Sequence, residues 1–394
     1  MKSASKLPTP SEEAIKHSHK LLTSIKNYAN SNGQLTFAQF MHKALYTPQL
    51  GYYSNSLVKI GAKGDFITAP EISPLFSRCL ARQASQILAE ISVPNIIEFG
   101  TGRGTMAKDI LLELHRLNQP VEAYYIIELS ADLKIVQQQT LQQLPAEIFN
   151  KIHWLDSLPS TPLSAVVLAN EVLDAMPVER VKFEPEKHLQ AWVKFNEKTN
   201  QAEWDYQTIT DPLLQKQCDI ISEYAGKPSS EGYQTEINLN IQPWLNSIAD
   251  FISEGVVLLI DYGYQRKEYY QPARVMGTLR CHYQHLAHDN PFFYPGLQDI
   301  TAHVDFTAVA ESALKAGFNV EGFTTQAHFL MGSGLLEMST EKTDDLTKSL
   351  LIAQQIKTLT LPDEMGETFK VMALTKHFEQ ALIGFQLRNL KHLL

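Results

Sequence analysis

Glu98, Glu128 and Asp156 each close a short apolar run, and the first is followed at once by Gly100, Gly102 and Gly104 in "EFGTGRGTMAKD" (98–109). Glycines that dense, between an apolar run and a helix-like stretch, mean that the backbone turns tightly or that a ligand comes very close. The spacing narrows the ligand. A dinucleotide fingerprint needs G-x-G-x-x-G, whereas the third glycine here comes one residue early, and the chain holds no G-x-x-x-x-G-K-[ST] phosphate loop. The acids suit S-adenosylmethionine, a nucleoside with an ammonium, a carboxylate and a sulfonium but no phosphate. Glu98 would anchor the positively charged end, directly or through water. The glycines would admit the amino-acid part and the ribose against the backbone. Glu128 in "YYIIELS" would accept from both ribose hydroxyls, and Asp156 in "WLDS" would meet the adenine amino group. A strand-end acid can equally be a helix cap, so the series in register says more than any one member.

These acids can share a site only if the runs that carry them are neighbouring strands. "NIIEFG" (95–100), "AYYIIE" (123–128), "KIHWLD" (151–156), "SAVVLANE" (164–171) and "GVVLLIDYG" (255–263) read as buried strands, with helices near 76–90, 105–117 and 131–144 between them. Strands with little alternation, separated by helices, predict an α/β fold with a doubly wound parallel sheet. "DFTAVAESALKAGF" reads as a helix capped by Asp305 and stopped at Gly317. "NVEGFTTQ" reads as a strand, and "ETFKVMALTKH" as a last strand antiparallel to the rest. Between strands four and five, "ERVKFEP", "LQAWVKF" and "AEWDYQTI" alternate like a small antiparallel sheet. The expected organisation is an N-terminal helical segment and lid loop (1–75), a first part of the cofactor domain (76–178), an inserted β/helical subdomain (179–250) and a second part of the cofactor domain (251–394).

A chain of 394 residues, 44% hydrophobic, can bury a full core. Its net charge of −9 and lack of a polybasic block weigh against a nucleic-acid partner. No apolar run is long enough to span a membrane. Cys79, Cys218 and Cys281 lie far apart, as in a reducing compartment rather than a disulfide framework. The first residues have no apolar core, carry Glu12 and Glu13 and lack arginine, so the expected location is cytoplasmic. Cys281, His282, His285 and His288 are crowded, but C-H-x-x-H-x-x-H lacks a second ligand pair, and no metal is expected. The sequence sets no oligomeric state.

Several blocks resemble a known family: "GYYSNS...IGAKGDFITAPEISPLF" (51–76), "IIEFGTGRGTMAKDIL" (96–111), "LANEVLDAMPV" (168–178), "LLIDYGY" (258–264), "GTLRCHYQH" (277–285) and "PGLQDITAHVDF" (295–306). They resemble the MidA-type methyltransferases, class I S-adenosylmethionine-dependent enzymes that include a mitochondrial complex I assembly factor. The resemblance implies a Rossmann-like methyltransferase fold and, for the mitochondrial relative, methylation of an arginine on a protein substrate. "GDFITAPEIS" would then be a lid, with Asp65, Thr68 and Glu71 reaching the cofactor. Asn170, Glu171 and Asp174, after strand four, would face the methyl group being transferred. A guanidinium acceptor wants carboxylates to align it and hold its charge; Glu171 and Asp174 are the candidates. The loop carries neither an Asn/Asp-Pro-Pro-aromatic motif nor the two-glutamate loop of the common arginine methyltransferases, so arginine rests on the resemblance. His303 would serve as a base or position the acceptor. The acceptor pocket is expected to gather Glu171, Asp174 and His303. Alternatives are a non-catalytic S-adenosylmethionine-binding assembly factor and a small-molecule or RNA methyltransferase; the acidic balance speaks against RNA.

Overall fold

In the computed structural model the described residues are 7–55, 68–128, 130–199, 201–224, 232–340 and 345–394. The apolar runs become one sheet: β1 (Asn95–Phe99), β2 (Tyr124–Ile127), β3 (Ile152–Leu155), β4 (Leu163–Asn170), β5 (Ile252–Tyr264), β6 (Asn319–Thr325) and β7 (Phe369–Lys376). The order across it is β6-β7-β5-β4-β1-β2-β3. Neighbours from β5 to β3 are parallel, and β7 runs antiparallel to both β5 and β6. The doubly wound sheet with an antiparallel last strand is thus present as expected.

Continuous apolar strands arise because helices cover both faces. Val256 to Ile260 of β5 and Ala165 to Ala169 of β4 are fully buried. Helix α1 (Pro74–Leu88) contributes Cys79, Leu80, Ala84 and Ile87 to this core, and α2 (Thr105–Arg116) contributes Met106, Ala107 and Ile110. A third helix, α3 (Ala131–Leu141), follows β2 and turns only Gln137 and Leu141 fully inward. Strand order reverses beside β1, since β2 lies on one side and β4 on the other. A sheet of this kind opens its ligand crevice at such a reversal, outside the carboxyl ends of the strands.

The chain divides into two compact units, and this sheet belongs to the one formed by Ile67–Asp174, Ile241–Gln265 and Val304–Leu394. The other combines Met1–Phe66, Ala175–Asn240 and Arg266–His303. Its main sheet pairs Glu179–Phe183, His188–Phe195 and Ala202–Thr208 antiparallel, as their alternation predicts, and adds Tyr233–Ile237 and the two-residue strand Leu35–Thr36. Helix Glu12–Asn32 buries Ser18, Leu21, Ile25 and Ala29 along one face. A separate three-stranded sheet, Arg280–Tyr283, Leu286–His288 and Asp299–Thr301, had no counterpart in the sequence reading. Its strands are three or four residues long, too short for a period to show. Tyr53 Oη donates to Asp299 at 2.8 Å, and Asn55 Nδ2 to the Gly296 carbonyl at 3.0 Å, tying the N-terminal stretch to this part of the unit.

Candidate functional site

Gly100, Gly102 and Gly104 all take positive φ (65°, 55° and 87°), a region that costs an L side chain about 1–2 kcal/mol. Space is short as well: a Cβ on Gly100 would stand 3.1 Å from Val172 Cγ2. The loop closes through Gly104 N–H to the Thr101 carbonyl at 2.9 Å and hands the chain to α2. Thr105, the first residue of α2, donates from its hydroxyl to Glu71 Oε1 at 2.5 Å. Glu71 and Thr68 belong to the short helix Ala69–Ile72 and its N-cap, so this part of the anticipated lid is fastened to the start of α2. Asp65 lies outside the described residues.

Glu98, next to last in β1, has no solvent exposure. Tyr124 Oη donates to its Oε2 at 2.6 Å, while Oε1 has no hydrogen-bond partner among the described residues. Burial pushes the carboxyl up to about 7, with the nearby Glu128 adding and the Tyr124 and Thr101 hydroxyls opposing. A buried carboxylate with an unpartnered oxygen is costly unless a cation or donor reaches it.

Glu128, just past β2, accepts from Ser130 N at 2.8 Å on Oε1 and from Gln137 Nε2 at 2.9 Å on Oε2. Gln137 Nε2 also donates to the Gly102 carbonyl at 3.0 Å, and Gln137 Oε1 accepts from Trp154 Nε1 at 3.0 Å. One side-chain amide therefore locks the glycine loop to the ends of β2 and β3. Sequence reasoning missed it. The signal was phase: Gln137 lies four residues before the buried Leu141, on the same face of the helix. Asp156 lies past β3 with its side chain 94% exposed and paired to Lys134, whose ammonium holds the carboxyl below its usual range.

The loop after β4 carries a second acidic group. Asn170, 8% exposed, donates from Nδ2 to Glu171 Oε1 at 3.3 Å, and its Oδ1 has no partner among the described residues. Glu171 continues the β4–β5 ladder through its N–H to the Ile260 carbonyl at 2.9 Å, yet holds a left-handed φ of 52°. Strain at a non-glycine residue clusters at functional sites. Asp174 is buried and accepts a short hydrogen bond from Tyr262 Oη. Beneath the loop sits Asp261 of β5, absent from the residues singled out in the sequence, although it falls within the block "LLIDYGY". It is fully buried and takes the N–H groups of Leu173 (3.0 Å), Asp174 (3.2 Å) and Tyr262 (2.9 Å). Burial raises its pKa well above the carboxylate range, and Asp174 and Glu171 raise it further.

His303 closes the other unit's Arg266–His303 segment, whereas Glu171 and Asp174 belong to the sheet unit. Its N–H donates to Thr278 Oγ1 at 3.2 Å, and the Thr278 N–H donates to the fully buried Glu236 at 2.6 Å. Gly277 is required here, since a Cβ would meet Glu236 Oε2 at 2.4 Å and φ is 72°. That accounts physically for the glycine that opens "GTLRCHYQH".

The strand order, the antiparallel last strand and the glycine crevice define a class I methyltransferase, and its cofactor is S-adenosylmethionine. The chain belongs to the family whose model is described as "Putative S-adenosyl-L-methionine-dependent methyltransferase", which matches residues 79–324. It is similar over its length to a COG1565 superfamily member from Burkholderia thailandensis bound to S-adenosyl-homocysteine: 35% identity, TM-score 0.93, covering 99% of this chain and 100% of that one. Curated relatives include "Protein arginine methyltransferase NDUFAF7 homolog, mitochondrial" of Drosophila melanogaster, 29% identical over 93% of this chain and 87% of the relative. The Homo sapiens "Protein arginine methyltransferase NDUFAF7, mitochondrial" is 26% identical over 88% and 81%. These names overturn the expected cytoplasmic location, because the relatives are named as mitochondrial proteins. That expectation came from composition, whereas an address is read by a receptor. Among the described residues no helix is long and apolar enough to cross a membrane.

Proposed function

We propose that this methyltransferase acts on protein, at the guanidinium of arginine. The observation that carries the reading is the trio Glu171, Asp174 and Asp261 at the carboxyl ends of β4 and β5, where a fully buried acid is flanked by two further acids. Such a group suits a planar cation that offers several N–H donors. The relatives' names as protein arginine methyltransferases support the same substrate.

The cofactor supplies an electrophilic methyl group on a sulfonium. The chain's own residues fit its binding. The glycines leave the backbone bare where side chains would intrude, Glu98 offers an unpartnered buried oxygen, and Glu128 presents a carboxylate beside the loop. We assign Glu98 to the ammonium, Glu128 to the ribose hydroxyls, and Asn170 and Thr68 to the rim of the cofactor site. Glu171 and Asp174 then hold and orient the acceptor, and a carboxylate among them takes the proton the nitrogen loses. Because methyl transfer is an in-line displacement, such positioning does much of the work.

The direct test is transfer of labelled methyl groups into a proteome from cells lacking this protein, followed by mass spectrometry of the labelled band. The expected result is label on arginine; label on another residue type, or on small molecules alone, refutes the substrate.

Two expected outcomes probe the cofactor half. Glu128→Ala weakens S-adenosyl-homocysteine binding by roughly 2–3 kcal/mol in calorimetry, as hydrogen bonds to a charged group are lost, and Glu128→Gln weakens it less. Parental affinity in both variants means Glu128 does not meet the ribose. Glu98 predicts a pH dependence. Its folded pKa of about 7 lies above the ordinary glutamate value of 4.5, so the folded state holds a proton that the unfolded state releases. Ligand-free stability attributable to Glu98 is therefore full below pH 4.5 and falls as pH rises to about 7. The ligand's ammonium group favours the ionised form, so S-adenosyl-homocysteine affinity rises across the same window and levels off above it. Glu98→Gln flattens both trends; unchanged slopes in that variant remove Glu98 from the ammonium site.

A further inference from the structure

We propose that Asp261 and Tyr262, adjacent at the end of β5, form a positioning pair for the acceptor, the first holding the backbone of the loop after β4 and the second holding its Asp174 carboxylate. The proposal rests on the reading of that loop as the acceptor site.

Asp261 is fully buried, and both its oxygens are occupied by backbone: Leu173 N and Asp174 N reach Oδ2, and Tyr262 N reaches Oδ1. The Leu173 and Asp174 amides belong to the turn that sets the Glu171 and Asp174 side chains. Tyr262 Oη donates to Asp174 Oδ2. Neutral side chains could bond backbone amides at a much lower desolvation cost. Here an acid stands where the like charges of Asp174 and Glu171 act on it. Asn170, 8% exposed and with Oδ1 unpartnered among the described residues, adds a second buried acceptor atom beside Glu171. A group rich in acceptors fits a donor-rich cation, and the charges of Asp174 and Glu171 both act on Asp261.

Two further charged groups on neighbouring elements have partners of their own among the described residues. Lys370, the register partner of Asp261 on β7, donates to the carbonyls of Glu367 and Thr368. Asp305, beside Tyr264, caps the following helix through Thr307 N and Ala308 N. Glu171, Asp174, Asp261 and Tyr262 are thus the groups expected to shape an acid limb in the pH–rate profile.

The test compares full-length parent, Asp261→Asn and Tyr262→Phe by S-adenosyl-homocysteine calorimetry and by the rate of labelled methyl transfer into the knockout proteome from pH 5.5 to about 9. Both variants should keep S-adenosyl-homocysteine affinity within about twofold. Asp261→Asn should lose about a hundredfold or more in rate, and its acid limb should move to lower pH because a like-charged neighbour is gone. Tyr262→Phe leaves all three amide bonds of Asp261 in place and withdraws one donor from Asp174. Its rate should fall by about tenfold and its acid limb should move to higher pH. If Asp261→Asn does not fold, the Tyr262→Phe profile decides. Parental rates in both variants, or reduced rates with an unmoved acid limb, overturn the proposal, since a merely structural role moves no limb. Acid hydrolysis of the labelled product separates the two readings: label outside methylarginine refutes the arginine substrate, while the shifts in the two profiles still decide the positioning pair.

Discussion

Gly102→Val abolishes S-adenosyl-homocysteine binding while the protein still folds, unfolding at a somewhat lower temperature than the parent. Calorimetry of the parent should show micromolar-scale affinity, roughly −8 kcal/mol, and no binding of NAD. Three effects act together in the variant. Gly102 holds φ 55°, where a β-branched residue is a strong outlier. The side chain it gains projects from the loop that must admit the ligand. Its carbonyl accepts from Gln137, which also holds Glu128, so a shift of the loop moves the carboxylate assigned to the ribose. Gly102→Ala isolates the backbone part and should fall between parent and valine. Unimpaired binding by Gly102→Val, or tight NAD binding by the parent, contradicts the assignment of the loop.

The sheet was legible because long buried strands write themselves as unbroken apolar runs, and because Asp305 and Gly317 mark both ends of their helix by local chemistry. Asp305 does accept from Thr307 N and Ala308 N, and Gly317 does take φ 90°. The glycine loop was legible for the same reason: its requirement is local. What escaped depends on contacts distant in sequence. Gln137 looks like any glutamine of a polar helix until β3 brings Trp154 to it, 17 residues away. Asp261 reads as a strand-end acid, and its role follows only from Leu173 and Asp174, 88 and 87 residues earlier. The three-stranded sheet that carries Asp299 has strands too short for any period. Asp156 shows the reverse case. Its place after β3 fits the expected series, yet its carboxylate pairs with Lys134 at the surface, a contact that strand position alone does not reveal.

Removing the groups proposed to face the acceptor should separate binding from turnover. Glu171→Gln, Glu171→Ala and His303→Ala are each expected to keep S-adenosyl-homocysteine affinity within about 1 kcal/mol while methyl transfer falls ten- to about a thousandfold, as for groups that orient or deprotonate an acceptor. Glu171 allows a sharper version. Its φ of 52° costs stability that a glycine would not pay, so Glu171→Gly should unfold at a higher temperature than the parent, by up to about 1 kcal/mol in stability, while losing activity like the alanine variant. A residue held in strain for folding would behave in the opposite way, since replacing it would destabilise the chain. His303 is tested from its own unit, where its N–H and the Glu236 carboxylate meet at Thr278. His303→Ala leaves that backbone bond available, so a loss of turnover would report the imidazole rather than the segment's fold. Rates unchanged in Glu171→Gln and His303→Ala would leave the cofactor site standing and send the search for the acceptor elsewhere. A gain in stability with loss of turnover in Glu171→Gly would show that the strain at the end of β4 is kept for the reaction.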